Sequence, residues 1–225
     1  MQFLKSSIGR KVLMAITGFS MFLFAITHLL GNSSIFGWLP GGINAYAHHL
    51  HSMPSPVIWG FRLVLLVFVC IHIWFGIQLT IENRAGGSQQ YAVKAFQKVT
   101  FASDNMIWTG LLILAFILYH LAHFTFQVVS PETAALSNLD VSGNPNVMGM
   151  VVAAFQNIGI TLVYAIAMVA IFLHLYHGIQ SFFQTMGWNN DRTISAISGS
   201  GKLIAFAIFI GYLAIPLTIL VRILK

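Results

Sequence analysis

Four histidines lie one in each of four long apolar segments of the sequence, and they fall into two repeated contexts. Two of them follow a Thr-Gly pair, with the histidine ten residues after the glycine. The other two are followed by a glycine four residues later. Ionisable side chains are costly inside a lipid bilayer, so histidines in such segments indicate a functional site. The first two are His28 and His120, and the other two are His72 and His174.

Two pairs of imidazoles in a helical bundle predict two b-type haems. An iron with two axial imidazoles has no free coordination position, so such a haem carries electrons and does not activate oxygen. The chain has one cysteine, Cys70, and no Cys-x-x-Cys-His sequence for covalent haem attachment. No disulfide can form within the chain, and any haem must be held by ligation and packing alone.

The composition is that of a membrane protein. Of the 225 residues, 57% are hydrophobic and only 7% are charged, whereas soluble domains carry about 25% charged residues. We interpret the formal net charge of +6 as a consequence of membrane topology and not of nucleic-acid binding. Residues 1–225 are expected to form a single transmembrane domain, since no linker or low-complexity segment divides them.

Five apolar segments are long enough to cross a bilayer, which takes about 20 helical residues. The first follows basic residues, as a signal peptide does. Its apolar stretch is longer than a typical signal, and residues 31–34 are a poor cleavage site, so we expect a retained helix. The predicted fold is an all-α membrane bundle with helices near 12–31, 57–81, 105–129, 153–180 and 203–223.

The lysines and arginines predict the orientation of this bundle. Loops 32–56 and 130–152 contain none, so they are expected outside, with the N-terminus in the cytoplasm and the C-terminus outside. Arg222 and Lys225 then lie on the less favoured side. The basic residues of the predicted cytoplasmic segments are Lys5, Arg10, Lys11, Arg84, Lys94, Lys98, Arg192 and Lys202.

Depth in the membrane predicts which histidines pair. The first and third spans run outward, and His120 lies about 24 Å past the start of its span at 1.5 Å per residue. The second and fourth spans run inward, and His72 lies about 15 Å before the inner end of its span. We therefore predict His28 with His120, called the outer pair, and His72 with His174, called the inner pair.

Glycines near the histidines predict room for a flat macrocycle. Gly76 and Gly178 lie four residues after the inner-pair histidines, on the same helix face. Gly18 and Gly110 lie about 15 Å from the outer-pair histidines of their own spans, near the depth of the inner pair, where they could clear the edge of its haem. For the second ring nitrogen of each ligand we expect a backbone carbonyl one turn earlier as the acceptor.

Two further histidines leave the ligand assignment open. His123 follows His120 by three residues and His177 follows His174 by three, so each lies on nearly the same helix face as its neighbour. We prefer His120 and His174 because only these repeat the glycine spacings. His123 and His177 remain alternative ligands, or contacts to a haem propionate or a neighbouring helix. A lone intramembrane histidine could also be a polar contact between helices.

The two predicted outer loops differ in character. Residues 43–52 are predicted to form a short interfacial helix, whereas 130–147 are rich in Pro, Asn, Ser and Gly and predict a surface loop. Quinone reduction consumes protons and oxidation releases them, so titratable groups near the outer pair would serve a quinone site. A solvated loop with no such role is the alternative. The candidate residues are His48, His49, His51 and Arg62.

These motifs resemble those of the five-helix, dihaem cytochrome b membrane subunits of succinate:quinone oxidoreductases, which comprise succinate dehydrogenases and fumarate reductases. The resemblance covers nearly the whole chain. It rests on the two Thr-Gly…His spacings, on His28-Leu-Leu-Gly-Asn32, on the stretch from Ala47-His48 to Met53-Pro54, on His72-x-x-x-Gly76, and on His174-x-x-x-Gly178 through Met186-Gly187.

The resemblance implies a place for this chain in a respiratory complex of the tricarboxylic acid cycle. It implies that the four histidines are the axial ligands of two haems b. It also implies a flavoprotein and an iron–sulfur subunit on the cytoplasmic face, which hold the dicarboxylate chemistry, and a quinone, commonly menaquinone, near the outer haem. A bacterial or archaeal cytoplasmic membrane is the expected location, and complexes of this kind could form dimers.

One position departs from the family's pattern. Some members carry a glutamate two residues before the fourth-span ligand, as part of a transmembrane proton path, and this chain has Phe172 there. No Asp or Glu lies within the predicted spans except at their ends, so a glutamate-based proton path is not expected.

Three other interpretations compete with this one. The nearest is a dihaem cytochrome b anchor of another quinone-linked complex, such as a hydrogenase or formate dehydrogenase. A proton-coupled transporter would use histidines as proton relays, but it would also favour carboxylates inside the membrane. An intramembrane zinc peptidase would require His-Glu-x-x-His, which does not occur in the sequence.

Overall fold

The computed structural model describes residues 6–86, 101–134 and 138–224. Within these ranges it contains eight α-helices and no strand, and five of the helices are long and apolar enough to cross a membrane. The predicted fold class, an all-α membrane bundle, is therefore confirmed. The helices are α1 (Ser7–Ser33), α2 (Gly42–Ser52), α3 (Ser55–Gly86), α4 (Phe101–Asp104), α5 (Met106–His120), α6 (Val147–Phe155), α7 (Ile158–Thr185) and α8 (Ile194–Leu220).

Several span limits differ from those predicted because capping groups, and not hydropathy, decide where helices end. The Ser6 hydroxyl accepts the Gly9 amide at 3.0 Å, so α1 begins at Ser7, five residues before the predicted limit. The predicted interfacial helix 43–52 is confirmed as α2. Four basic residues used to predict the orientation lie outside the described residues, namely Lys5, Lys94, Lys98 and Lys225.

The predicted span 153–180 is wrong as a single helix. The Asn146 side chain accepts the Gly149 amide at 2.8 Å, and α6 begins at the next residue. The Asn157 side chain then accepts the Gly159 amide at 2.9 Å, and α7 begins at Ile158. Asparagine is among the strongest N-caps because its side chain satisfies amides that have no helical partner. The fourth span is therefore α7 alone.

The third span ends in an unusual turn. Regular α-helix stops at His120, and residues Leu121–Thr125 form a π-helical turn. In that turn the Phe126 amide donates to the Leu121 carbonyl at 2.7 Å. The predicted limit of residue 129 is thus too long, since the chain leaves the helix at Phe126.

Four of the five spans form a ring. Helix α1 packs on α3 and α7, α5 packs on α7, and α3 touches α5 more lightly. In the described part of the chain, neither diagonal pair, α1 with α5 or α3 with α7, packs closely. Helix α8 lies outside the ring against α7 and α1. Groups on diagonal helices therefore face each other across the centre of the ring.

The outward surface of the ring is apolar, as expected for helices surrounded by lipid. On α3, for example, Phe61 and Trp74 are both 69% exposed. Lipid tails are as apolar as leucine, so these side chains lose nothing by facing them. At one end of α1 and α3, the Arg10 guanidinium donates to the Glu82 carboxylate at 2.9 Å, so one of the residues used to predict the topology also joins two helices.

A cluster of buried hydrophobic residues lies at the end of the bundle that carries α2. The Asn44 side chain of α2 accepts the Met148 amide at 2.8 Å and donates to the Asp140 carboxylate at 3.4 Å. These bonds join the two predicted outer loops, so the loop at Asp140, which lies at the surface as predicted, is also anchored to α2. The core residues are Ile35, Ile43, Val151, Phe155, Tyr164, Ile215 and Ile219.

Gly31 of α1 allows α2 to lie against the bundle. A Cβ atom at this position would overlap the ring of Tyr46. We therefore expect Gly31→Ala to destabilise the protein by about 1–3 kcal/mol, as overpacking does elsewhere. Thermal unfolding of the detergent-solubilised protein measures this as a lower midpoint temperature.

The matched control is Gly60→Ala in α3, where an added Cβ meets nothing within 4 Å. Alanine favours a helix over glycine by about 0.5–1 kcal/mol, so this variant should melt at the wild-type temperature or above it. Equal midpoints for Gly31→Ala and the wild type would show that the Tyr46 contact does not matter.

Candidate functional site

The four histidines of the spans form two facing pairs across the diagonals of the ring of four helices. The ring centroids of His28 on α1 and His120 on α5 are 5.9 Å apart, and the ring planes meet at 89°. The centroids of His72 on α3 and His174 on α7 are 6.2 Å apart, with the planes at 66°. The structure brings together the same pairs that helix depth predicts.

The separation within each pair suits one iron atom between two rings. A metal–imidazole bond of about 2 Å on each side, with a ring radius of about 1 Å, places the centroids about 6 Å apart. Two imidazoles are the axial set of a haem whose other four ligands belong to the porphyrin. In the ranges that the structure describes, no group of three or more His, Cys, Asp or Glu side chains is placed to hold a metal ion.

The two pairs lie at different depths in the bundle. A Cβ atom on Gly18 would be 2.8 Å from Cε1 of His72, and one on Gly110 would be 3.5 Å from Cε1 of His174. Each glycine precedes the outer-pair histidine of its own helix by ten residues, or about 15 Å along the axis. The inner and outer pairs are therefore separated by about this distance.

The neighbours of Gly18 and Gly110 differ from the expectation. We expected these glycines to clear the edge of a macrocycle, but both lie directly against an imidazole ring of the inner pair. Around Gly178, by contrast, an added Cβ meets nothing within 4 Å, and at Gly76 it meets only Met14 Sδ at 4.0 Å. These two positions leave the open surface that a flat ligand beside the inner pair would need.

The inner-pair rings are held by groups on α1 and α5. Nδ1 of His72 lies 3.0 Å from the Met14 carbonyl, and since a carbonyl only accepts, this nitrogen carries the proton. Nδ1 of His174 lies 3.2 Å from the Thr109 hydroxyl, which itself donates to the Met106 carbonyl at 3.0 Å. The hydroxyl oxygen therefore accepts the imidazole proton. Both rings are left with an Nε2 lone pair for a metal.

The expected acceptor, a backbone carbonyl one turn earlier in the ligand's own helix, is not found for either inner-pair ring. Nδ1 of each ring faces the neighbouring helix instead, where the Met14 carbonyl and the Thr109 hydroxyl lie. The acceptors therefore come from helices that are adjacent in space and distant in sequence.

The Thr-Gly repeat extends three residues further toward the N-terminus. A methionine precedes each threonine by three residues, so the repeat is Met-x-x-Thr-Gly at Met14–Gly18 and Met106–Gly110. The buried Thr17 and Thr109 hydroxyls both donate to the carbonyl of that methionine, at 3.2 and 3.0 Å. At the glycine, the repeat leaves the helix surface without a side chain, so an imidazole can lie against it. Beside the glycine, the methionine carbonyl or the threonine hydroxyl accepts the imidazole proton. The recurrent methionine is the feature of the sequence from which this acceptor could have been predicted.

The outer pair has a different neighbour, the hydroxyl of Tyr164 on α7. This hydroxyl lies 3.4 Å from Nδ1 of His120 and 3.1 Å from Nδ1 of His123. The His123 ring stacks on Phe124 with centroids 4.2 Å apart, and it is His120 whose ring faces His28. The geometry thus favours His120 over His123 as the group opposite His28.

The other alternative ligand, His177, has no ring contact with the inner pair in the described ranges. Among the described residues its side chain forms no hydrogen bond and no ring contact, whereas His174 faces His72. In both spans the preferred histidine faces a histidine of the opposite helix, and in the described ranges the alternative histidine does not.

The four candidate quinone residues lie at the surface of α2 and α3. All four are exposed, and in the described part of the chain none forms a hydrogen bond or ring contact with the outer pair. The contacts that two of them make are local. Nδ1 of His51 bonds to the Ala47 carbonyl one turn earlier, and the Arg62 guanidinium lies 5.2 Å above the Trp59 ring. The remaining two are His48 and His49.

Phe172, where some members of the resembling family have a glutamate, lies in an apolar cluster. Its ring is 5.5 Å from that of Phe209 and 6.2 Å from that of Phe206, both on α8. The contact between α7 and α8 at this position is a packing contact between phenylalanine rings.

No family model, no curated protein and no solved structure matches this chain. The fold and the site by themselves define a multi-pass helical membrane protein, with two facing histidine pairs at two depths of its bundle.

Proposed function

We propose that this chain is the membrane-anchor cytochrome b subunit of a succinate dehydrogenase or fumarate reductase complex. The observation that carries the proposal is the presence of two facing imidazole pairs, 5.9 and 6.2 Å between centroids, on the two diagonals of a membrane bundle. Two haems b bound there would pass electrons between a cytoplasmic iron–sulfur subunit and a membrane quinone, commonly menaquinone.

The residues of this chain would supply ligation, orientation and an apolar surrounding. His72 and His174 keep Nε2 free because Nδ1 is bonded to Met14 and Thr109. Gly76 and Gly178 leave the helix surface bare one turn away. Because each pair belongs to diagonal helices that do not pack closely in the described ranges, a flat group can lie between them without separating a packed interface.

The assignment to succinate:quinone oxidoreductases depends on the sequence motifs, and one of these has a structural explanation. In the stretch His28-Leu-Leu-Gly-Asn32, the Asn32 side chain donates to the His28 carbonyl at 2.8 Å, and Gly31 makes room for Tyr46. The motif therefore braces the backbone at the outer-pair histidine and makes room for Tyr46 of α2. Dicarboxylate chemistry would belong to the flavoprotein partner, and the complex to a bacterial or archaeal cytoplasmic membrane.

The same two pairs also favour a dihaem anchor of another quinone-linked complex, such as a hydrogenase or formate dehydrogenase. Ligand geometry is shared between these complexes, so the partner subunits separate them. A proton-coupled transporter would contain no haem and would be colourless.

The test is purification of the chain with its native partners, followed by a reduced-minus-oxidised optical spectrum and a haem-to-protein ratio. We expect two haems b per chain and a co-purifying flavoprotein with an iron–sulfur subunit. A colourless protein, or a single haem per chain, would overturn the proposal. Two haems with a hydrogenase or formate dehydrogenase partner would select the alternative.

A further inference from the structure

The Tyr164 hydroxyl is the one polar group of α7 that reaches the outer pair from a buried position. The tyrosine is 6% exposed, and its ring packs edge-on against Phe116 and Phe155 at 5.0 and 4.9 Å between centroids. The hydroxyl bonds to Nδ1 of both His120 and His123. Because the surrounding aromatic rings fix its position, Tyr164 holds both imidazoles in one orientation.

A π-helical turn begins between the two histidines that reach the Tyr164 hydroxyl. Such turns widen a helix locally and are frequent at functional sites. Here the turn starts directly after His120 and contains His123. His177 follows His174 by the same three residues within regular α-helix, and in the described ranges it has no tyrosine partner. The paired arrangement is therefore specific to the outer pair.

The protons of this group can be placed by counting donors and acceptors. A neutral imidazole that binds metal through Nε2 carries its proton on Nδ1, so His120 would donate to the Tyr164 oxygen. A phenol has a single proton, which then goes to Nδ1 of His123. His123 is left with its proton on Nε2, a buried atom that has no partner among the described residues. The hydrogen bonds thus run in one direction, away from the outer pair.

We propose that Tyr164 is the positioning residue of the outer haem site, and that His123 orients its hydroxyl. This inference rests on the proposed function. By accepting the Nδ1 proton, Tyr164 fixes the tautomer of His120 and raises the basicity of that ligand, as partners of metal-bound histidines do. The inner pair uses Met14 and Thr109 instead, so the effect is confined to the outer haem.

The experiment is a redox titration of both haems in the purified complex, with electron paramagnetic resonance of the oxidised state. In Tyr164→Phe, His120 loses its acceptor and becomes less basic, so the midpoint potential of the outer haem should rise. The expected change is up to tenfold in the ratio of reduced to oxidised haem, or about 59 mV for one electron. The outer haem's resonance should shift, and the inner haem should keep its potential.

The matched control is Tyr119→Phe, which removes a neighbouring hydroxyl that has no hydrogen bond in the described part of the chain. This variant should leave both potentials at wild-type values. Loss of the outer haem alone in Tyr164→Phe, with both haems kept in the control, would also support the positioning role.

Unchanged outer potential and resonance in Tyr164→Phe would overturn the inference while leaving the two-haem function intact. A wild-type complex without two haems would instead overturn the function. If Tyr164→Phe loses both haems, His123→Phe decides the question. It removes the acceptor that orients the hydroxyl, so a smaller rise in the outer potential supports the inference and no change refutes it.

Discussion

The His120→Leu variant is expected to lose the outer haem and retain the inner one, so that the haem-to-protein ratio falls by half. Among the described residues His120 is the histidine whose ring faces His28, at 5.9 Å between centroids, and leucine offers no lone pair to iron. The inner pair lies about 15 Å away along the bundle on the other diagonal, so its ligands are unchanged. The measurement is a haem assay combined with a reduced-minus-oxidised spectrum, in which one of two components disappears.

The pairing is tested by comparing single replacements at all four positions. His28→Leu should reproduce the spectrum of His120→Leu, and His72→Leu should reproduce that of His174→Leu, with the other component lost. His51→Leu is the control, because in the described ranges this exposed histidine bonds only to its own helix turn. If His28→Leu and His120→Leu both kept two unchanged haem signals, the assignment of the outer pair would be refuted.

Gly18→Ala should weaken the inner haem site by about 10–100-fold in affinity, the range typical of changes to groups that orient metal ligands. The added methyl group would lie 2.8 Å from Cε1 and 3.1 Å from Nδ1 of His72. The ring must then move, and it loses both its bond to the Met14 carbonyl and its alignment with His174. Haem occupancy after purification in limiting haem measures the effect, which should be confined to the inner component.

Gly110→Ala is the matched control for this variant. It occupies the corresponding place in the second Met-x-x-Thr-Gly repeat, but its methyl group would lie 3.5 Å from His174, an ordinary van der Waals distance. Both haems should therefore remain. Equal loss of inner haem in Gly18→Ala and Gly110→Ala would show that steric contact with His72 is not the cause, and full occupancy in both would show that His72 is free to move.

Helix depth could be used on the sequence because the rise per residue of a helix is constant. Counting residues from the ends of the spans predicts the pairs His28 with His120 and His72 with His174, and the structure brings the same rings together. The count needs only the direction of each span, and not the rotation of any helix about its axis. The exposed residues proposed for a quinone site lacked such a constraint, and His51 and Arg62 make only local contacts.

Helix ends were predicted less well, although the capping residues were visible in the sequence. Asn146 and Asn157 each precede an apolar run, as N-caps do, and they divide one predicted span into α6 and α7. Hydropathy averages over such single residues, so it located the apolar centre of the span and missed the break. The π-helical turn after His120 has no comparable cue in the local sequence.

The five membrane spans and the depths of their histidines were determined by the sequence itself, because a helix in lipid must satisfy its own backbone and its apolar length is a local property. The partners of the imidazoles were decided only by the tertiary structure. The Tyr164 hydroxyl reaches His120 from 44 residues away and the Met14 carbonyl reaches His72 from 58 residues away. Such contacts depend on how each helix is rotated against its neighbours, and that rotation is set by packing across the whole bundle.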